Sequence, residues 1–159
     1  MRYLIDGHNL IPKLPGFSLS EIDDERKLIE WLQVFSRQKR CQVEVFFDQA
    51  PAGFARTHKF GIVTAHFIRQ GSTADDAIQS RLQHAGKDAK NLHVISSDHQ
   101  VQSFARSMHA TVISSEDFSK ELTAQVMDSA SHNTPDQILT EADITYWEAL
   151  FSGNNKDHT

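Results

Sequence analysis

From its first residues the chain alternates short apolar runs with stretches of helical period, and acidic residues recur where the apolar runs end. The runs at 3–6, 43–48, 62–68, 92–96 and 111–113 have the length and content of buried strands. The stretches between most of them repeat apolar residues every three or four positions. Such alternation is satisfied by a mainly parallel sheet with helical crossovers, so the expected class is α/β with about five strands. With 159 residues, 39% of them hydrophobic, the chain can bury the core of one domain but not comfortably of two. Residues 1–153 are expected to form that domain, with 154–159 as a frayed tail.

The helices carry their own punctuation. Ser18 and Glu21 have capping-box spacing ahead of Leu28, Ile29, Leu32 and Phe35. Thr73 is placed to cap a helix with the stripe Ile78, Leu82 and Ala85, which Gly86 ends. Val101, Phe104, Ala105 and Met108 mark another helix. Ser115 is expected to cap a helix carrying Phe118, Leu122 and Val126, and Thr140 with Asp143 to open one through Ile144, Trp147 and Leu150. The stretch 129–136 reads as a polar linker between these two. The connection 49–61 is long, lacks clear periodicity and carries Arg56, His58 and Lys59, the kind of loop that is usually functional or mobile, with a merely solvated loop the alternative reading.

In a parallel sheet with helical crossovers the carboxyl ends of the strands share one edge, and ligands bind in the crevice there. Asp6 and Asp48 end strands, Asp98 follows one, and Asp75 with Asp76 begins a helix after another. All five therefore approach one rim. Carboxylates about 4 Å apart repel by roughly 4 kcal/mol per pair at an effective dielectric near 20. They can take up a proton at a raised pKa, or bind Mg²⁺ or Mn²⁺, hard cations that favour oxygen ligands. With no basic residue at the strand ends, the cation is the preferred reading. Asp75 shares the helical face of Ile78 and Leu82 and is expected to bind the metal directly, with Asp76 in an outer position or at a second ion. Taken singly, each acid has a commoner role: Asp98 as an N-cap, Asp75 and Asp76 as complements to the helix dipole, Asp48 in a turn. Their convergence from separate crossovers favours a metal site.

Composition sets bounds on this reading. The N-terminus reaches Asp6 without a signal-like apolar run, no stretch is long and apolar enough to span a bilayer, and the single cysteine, Cys41, forms no internal disulfide. The chain is thus expected in the cytoplasm. Its net charge of -5 speaks against a broad basic nucleic-acid surface, although each bound divalent ion adds two positive charges where a phosphate would arrive. The nine histidines show no zinc-ligand spacing. Phe46, Phe47, Trp31 and Trp147 are expected in the core, whereas Phe54, in the long connection, could stack on a base.

Several motifs then align in order. Asp6 to Leu10, DGHNL, has the form D-G-x-N-L/M; VFFD closes the second run, GSTADDAI spans 71–78, and SSD ends at Asp98. Together they resemble the NYN branch of the PIN-like nucleases, particularly the YacP-like family, over nearly the whole chain. The resemblance implies a PIN-like three-layer α/β/α sandwich and metal-dependent endonucleolytic cleavage of RNA. By position it implies that Asp6, Asp75 and Asp98 form the acidic centre. Asp48 would join directly or through water, and Asn9 would orient a ligand or the scissile phosphate. The metal ligands expected are Asp6, Asp75, Asp76 and Asp98. Arg56, His58, Lys59 and Arg69 are the expected phosphate contacts.

Three rivals are weighed. A receiver-type domain needs an acidic pair after the first strand and a lysine after the last, and Gly7 and Ser114 stand there. A dehalogenase-like phosphatase needs D-x-D where this chain has Asp6, Gly7, His8. A non-catalytic RNA-binding or interaction module on a PIN-like scaffold is the serious alternative, weakened by convergent carboxylates that would repel RNA without a metal. Action on a ribosome and a homodimer through the last two helices are both left open.

Overall fold

Six strands form one sheet: β1 (Arg2–Asp6), β2 (Gln42–Ala50), β3 (Thr57–Phe60), β4 (Val63–Arg69), β5 (Leu92–Ile95) and β6 (Thr111–Ile113), in the order β3-β4-β2-β1-β5-β6. Every pairing is parallel except β3 with β4. The computed structural model describes residues 1–15, 22–50 and 56–132. Helix α1 (Gly7–Leu10) follows β1 directly; α2 (Ile22–Lys39), α3 (Ala74–Ala85), α4 (His99–Ser107) and α5 (Ser115–His132) are the longer helices among these residues.

Strand alternation splits the core in two. Tyr3, Ile5, Val43, Val45 and Phe47 face α2 and α5, where Leu28, Ile29, Leu32, Phe35, Phe118 and Leu122 are buried against them. Leu4, Phe46 and Val94 face α3 and α4 and meet Ile78, Leu82, Val101 and Ala105. With helices on both faces, the strands lose the polar-out alternation of a half-solvated sheet and become the continuous apolar runs seen in the sequence. The architecture is the expected three-layer α/β/α sandwich.

Three expectations need correction. The sheet has six strands rather than five, because Thr57–Phe60 pairs along β4 inside the connection read as a loop. As an edge strand it buries only Phe60, so its sequence lacks an apolar run. Helix α5 is capped by Ser114, whose Oγ accepts from the Asp117 N–H at 3.1 Å, and not by Ser115, which is buried. The same helix runs to His132, through the first part of the linker expected at 129–136. The capping pair Ser18 and Glu21, Phe54, and the helix of Thr140 to Leu150 with Trp147 lie outside the described residues.

β1 has β2 on one side and β5 on the other. The crossovers on its two sides use opposite faces of the sheet: α2 leads to β2 on one, α3 leads from β4 to β5 on the other. That switch point opens a crevice at the carboxyl end of β1, and Asp6 stands in it.

Candidate active site

Asp6 is the last residue of β1 and the N-cap of α1, its carboxylate accepting from the Asn9 N–H at 3.3 Å. The chain turns immediately because Gly7 lies against Phe47: a Cβ there would come within 2.3 Å of that fully buried ring. The glycine of the D-G-x-N motif is thus required by packing at the sheet edge.

α3 brings the second acid. Thr73 caps it through Oγ1, accepting from the Asp76 N–H at 3.1 Å, and Ile78 and Leu82 seat it on the sheet. Asp75 is half-buried on the inner side and within hydrogen-bonding reach of Asp6, while Asp76 is exposed and acts on Asp75 through its charge. Burial, then the hydrogen bond and charge of Asp75, push Asp6 up to about 7, with Asp48 adding to the rise and the Asn9 N–H opposing it. Asp75 is raised as well, by burial and by the charges of Asp98, Asp48 and Asp76. The two carboxyls form a pair that favours holding a proton between them.

The other rim residues are engaged. Asp48 lies 2.9 Å from His8 Nδ1 through Oδ1, and its Oδ2 accepts from the Ala74 N–H at 3.4 Å. A register shift between Phe47 and Ala50, with Gln49 at φ 63°, puts a bulge beside it. Asp98 caps α4, accepting from the Gln100 and Val101 N–H groups at 2.9 and 3.1 Å. Asn9 is committed too: its Oδ1 accepts from the Ser97 N–H at 2.9 Å and the Ser115 Oγ–H at 2.6 Å. The amide therefore ties the β5–α4 turn and the start of α5 to α1.

His8 is the functional candidate that sequence reasoning passed over. Burial alone would lower its pKa, but the carboxylates of Glu25, facing it as an ion pair, and of Asp48, hydrogen-bonded to it, outweigh this and hold it at about 9. Its Nε2 stands 3.8 Å from Glu25 on α2. The view that no basic group stands at the strand ends is therefore corrected: a protonated His8 sits there, and Arg69 closes β4 with its side chain exposed. The one available signal was the place of His8 directly after Asp6-Gly7, since Glu25 and Asp48 are distant in sequence.

The expected cationic loop is split. Lys59 shares a sheet face with Thr57 and His66, whereas His58 lies on the other face with its ring 4.4 Å from that of Phe60. Arg56 and Arg69 lie toward the acidic rim, and Lys59 lies toward the opposite edge. These residues cannot act as one patch. Among the described residues, no three or more His, Cys, Asp or Glu side chains are gathered as a ready metal-binding group. What the rim offers is one contacting carboxylate pair with further charges around it. This donor set fits Mg²⁺, which keeps several waters and is commonly held by one or two carboxylates together with substrate phosphates. No helix of the described residues is long and apolar enough to cross a membrane.

A family model described as the YacP-like NYN domain matches residues 3–147. The crystal structure of Rae1 (YacP) from Bacillus subtilis is similar in fold, with a TM-score of 0.68 and 22% identity over 80% of this chain and 76% of that one. A tryptophan-to-leucine mutant of the same protein gives a TM-score of 0.63 at 22% identity, over 80% and 77%. No curated protein matches. With motif order, sheet topology and family model in agreement, the chain belongs to the YacP-like NYN domain family.

Proposed function

We propose that the chain is a metal-dependent endoribonuclease, hydrolysing RNA phosphodiester bonds at the carboxyl edge of the sheet with Mg²⁺ or Mn²⁺ as cofactor. The observation that carries this reading is the contact of buried Asp6 with half-buried Asp75 at the switch point, surrounded by the charges of Asp48, Asp76 and Asp98. Acids in a cleft whose pKa values are raised by burial and by one another are candidates for a functional site. When bound, a divalent cation supplies Lewis-acid polarisation of the phosphate and a water of lowered pKa.

The chain's own residues then have distinct tasks. Asp6 and Asp75 would hold the cation, Asp98 and Asp76 would add negative charge beside that pair, and Asp48 fixes His8. The protonated imidazole of His8, held between Asp48 and Glu25, adds positive charge beside the rim. Asn9 keeps the β5–α4 turn, and with it Asp98, in register with β1. Arg69, exposed at the end of β4, is a candidate for a phosphate contact. The cytoplasm, where RNA is the partner, is the location consistent with this activity.

The test uses the full chain with labelled RNA, with and without Mn²⁺. Cleavage that requires Mn²⁺ and falls to background in Asp6→Asn and Asp75→Asn is expected. A second readout needs no turnover: Mn²⁺ should raise the thermal midpoint of the parent protein and leave that of Asp6→Asn unchanged, as binding to the folded state alone requires. Cleavage at the parental rate in both variants would show the centre to be misassigned. RNA binding without Mn²⁺-dependent cleavage would favour the non-catalytic module.

A further inference from the structure

The sheet face that carries Glu44 and His66 is covered by α3 over β1 and β2 but stays open toward β3. Here lie two adjoining depressions, of about 420 and 650 Å³, which share Arg2, Gln42 and Arg81. Arg40 lies in the larger one and Lys59 in the smaller. Four cationic side chains thus face two carboxylates, Glu44 and Asp88, in a chain whose net charge is -5. Arg2 and Arg81 are spent on Glu44, at 3.3 Å and 3.1 Å. Arg40 and Lys59 are exposed and form no ion pair among the described residues.

We propose that this groove binds the phosphate backbone of single-stranded RNA to one side of the nucleotides at the acidic rim, with Arg40 and Lys59 as its principal phosphate contacts. The proposal rests on the ribonuclease reading and extends it to a second surface. Rim and groove are opposite ends of the same elements: β2 begins beside the groove at Gln42 and reaches the rim at Asp48, and α3 begins at the rim with Asp75 and carries Arg81 to the groove. Those two are six positions apart on the helix, about 9 Å along the axis. An acidic rim repels a polyanion until cations arrive, and this groove offers two exposed cations, Arg40 and Lys59, that no carboxylate of the described residues neutralises. Depressions of this volume are the size of small-ligand sites. They suit a few nucleotides of a single strand, whereas a duplex is recognised across a wide surface.

The experiment is fluorescence anisotropy of a labelled single-stranded RNA with the full chain in EDTA, over a range of salt concentrations. Three proteins are compared: the parent, Arg40→Asn with Lys59→Gln, and a control, Arg37→Gln with Lys120→Gln, whose exposed cations lie on α2 and α5. Asparagine is chosen at Arg40 because that residue has φ 53°, a conformation asparagine tolerates. The groove variant should bind about tenfold more weakly at low salt, with a salt slope flatter by roughly 1.4, given about 0.7 per single-strand phosphate contact. The control should follow the parent. Equal loss in both variants, parental binding by the groove variant, or no salt-dependent binding by the parent would each overturn the proposal. Mn²⁺-dependent cleavage by the parent is scored separately: if it occurs while the groove variant binds normally, the groove fails and the nuclease stands. If it is absent while the groove variant alone loses affinity, the reverse holds.

Discussion

Asp6 and Glu44 stand on neighbouring strands, on the same face of the sheet and at nearly the same depth, 7% and 8% exposed, yet they are treated in opposite ways. Glu44 meets Arg81 through both oxygens, His66 at 2.9 Å and Arg2 at 3.3 Å. Burial would raise its pKa, but the hydrogen bonds from His66 and Arg81 and their charges bring it down to about 2. Asp6 is raised to about 7 by burial and, after that, by another carboxyl, Asp75. One acid is buried with its counter-charges built in; the other is buried among like charges. The difference separates an acid that holds the fold together from one kept for a ligand, and neither depth nor residue type would reveal it.

The strongest way to break this comparison is to neutralise each acid in turn. Glu44→Gln leaves the Arg81, Arg2 and His66 cluster without its anion and should lower unfolding stability by about 3 kcal/mol, read as a shift in the urea midpoint. Asp6→Asn removes a source of repulsion and should leave stability near pH 7 unchanged or raised. If both variants were destabilised equally, the two acids would be structural alike.

A pH series sharpens the contrast. Asp6, held above its ordinary 3.8, adds stability while protonated and loses it as the pH climbs through about 7. Glu44, held below its ordinary 4.5, adds stability above that value and loses it as the pH falls toward about 2. The parent should therefore lose stability on the order of 2 kcal/mol between pH 4 and 7 in the absence of divalent ions, and Asp6→Asn should flatten that limb. Glu44→Gln should flatten the acid limb instead. Chemical denaturation across pH measures both.

The smallest expected effect belongs to the rim's scaffold. Asn9→Ala leaves the Ser97 N–H and the buried Ser115 hydroxyl without their acceptor and should cost about 1 to 2 kcal/mol. Parental stability in this variant would mean that the tie between α1 and α5 is not holding the edge.

Much of the sheet was legible because doubly covered strands write themselves as apolar runs: β1, β2, β4, β5 and β6 lie within about two residues of their expected limits. The exception, β3, presents Thr57 and Lys59 to solvent, so its pairing is decided by the facing strand rather than by its own composition. Convergence of the aspartates on one edge followed from parallel topology, and the different settings of Asp75 and Asp76 followed from helical phase. The bonds of His8 to Asp48 and of Asn9 to Ser115 span 40 and 106 positions and carry no local signature. The partners of Glu44 are equally hidden, since they come from three separate elements around a residue that interrupts an apolar run.

The Asn9–Ser115 bond also sets the order in which the molecule can be finished during synthesis. A nascent chain that has emerged only as far as β6 already carries every aspartate of the rim, but not the hydroxyl that pins α1 to α5. A stretch of more than a hundred residues must leave the exit tunnel before that latch can close, so translation yields the acids early and the finished edge late.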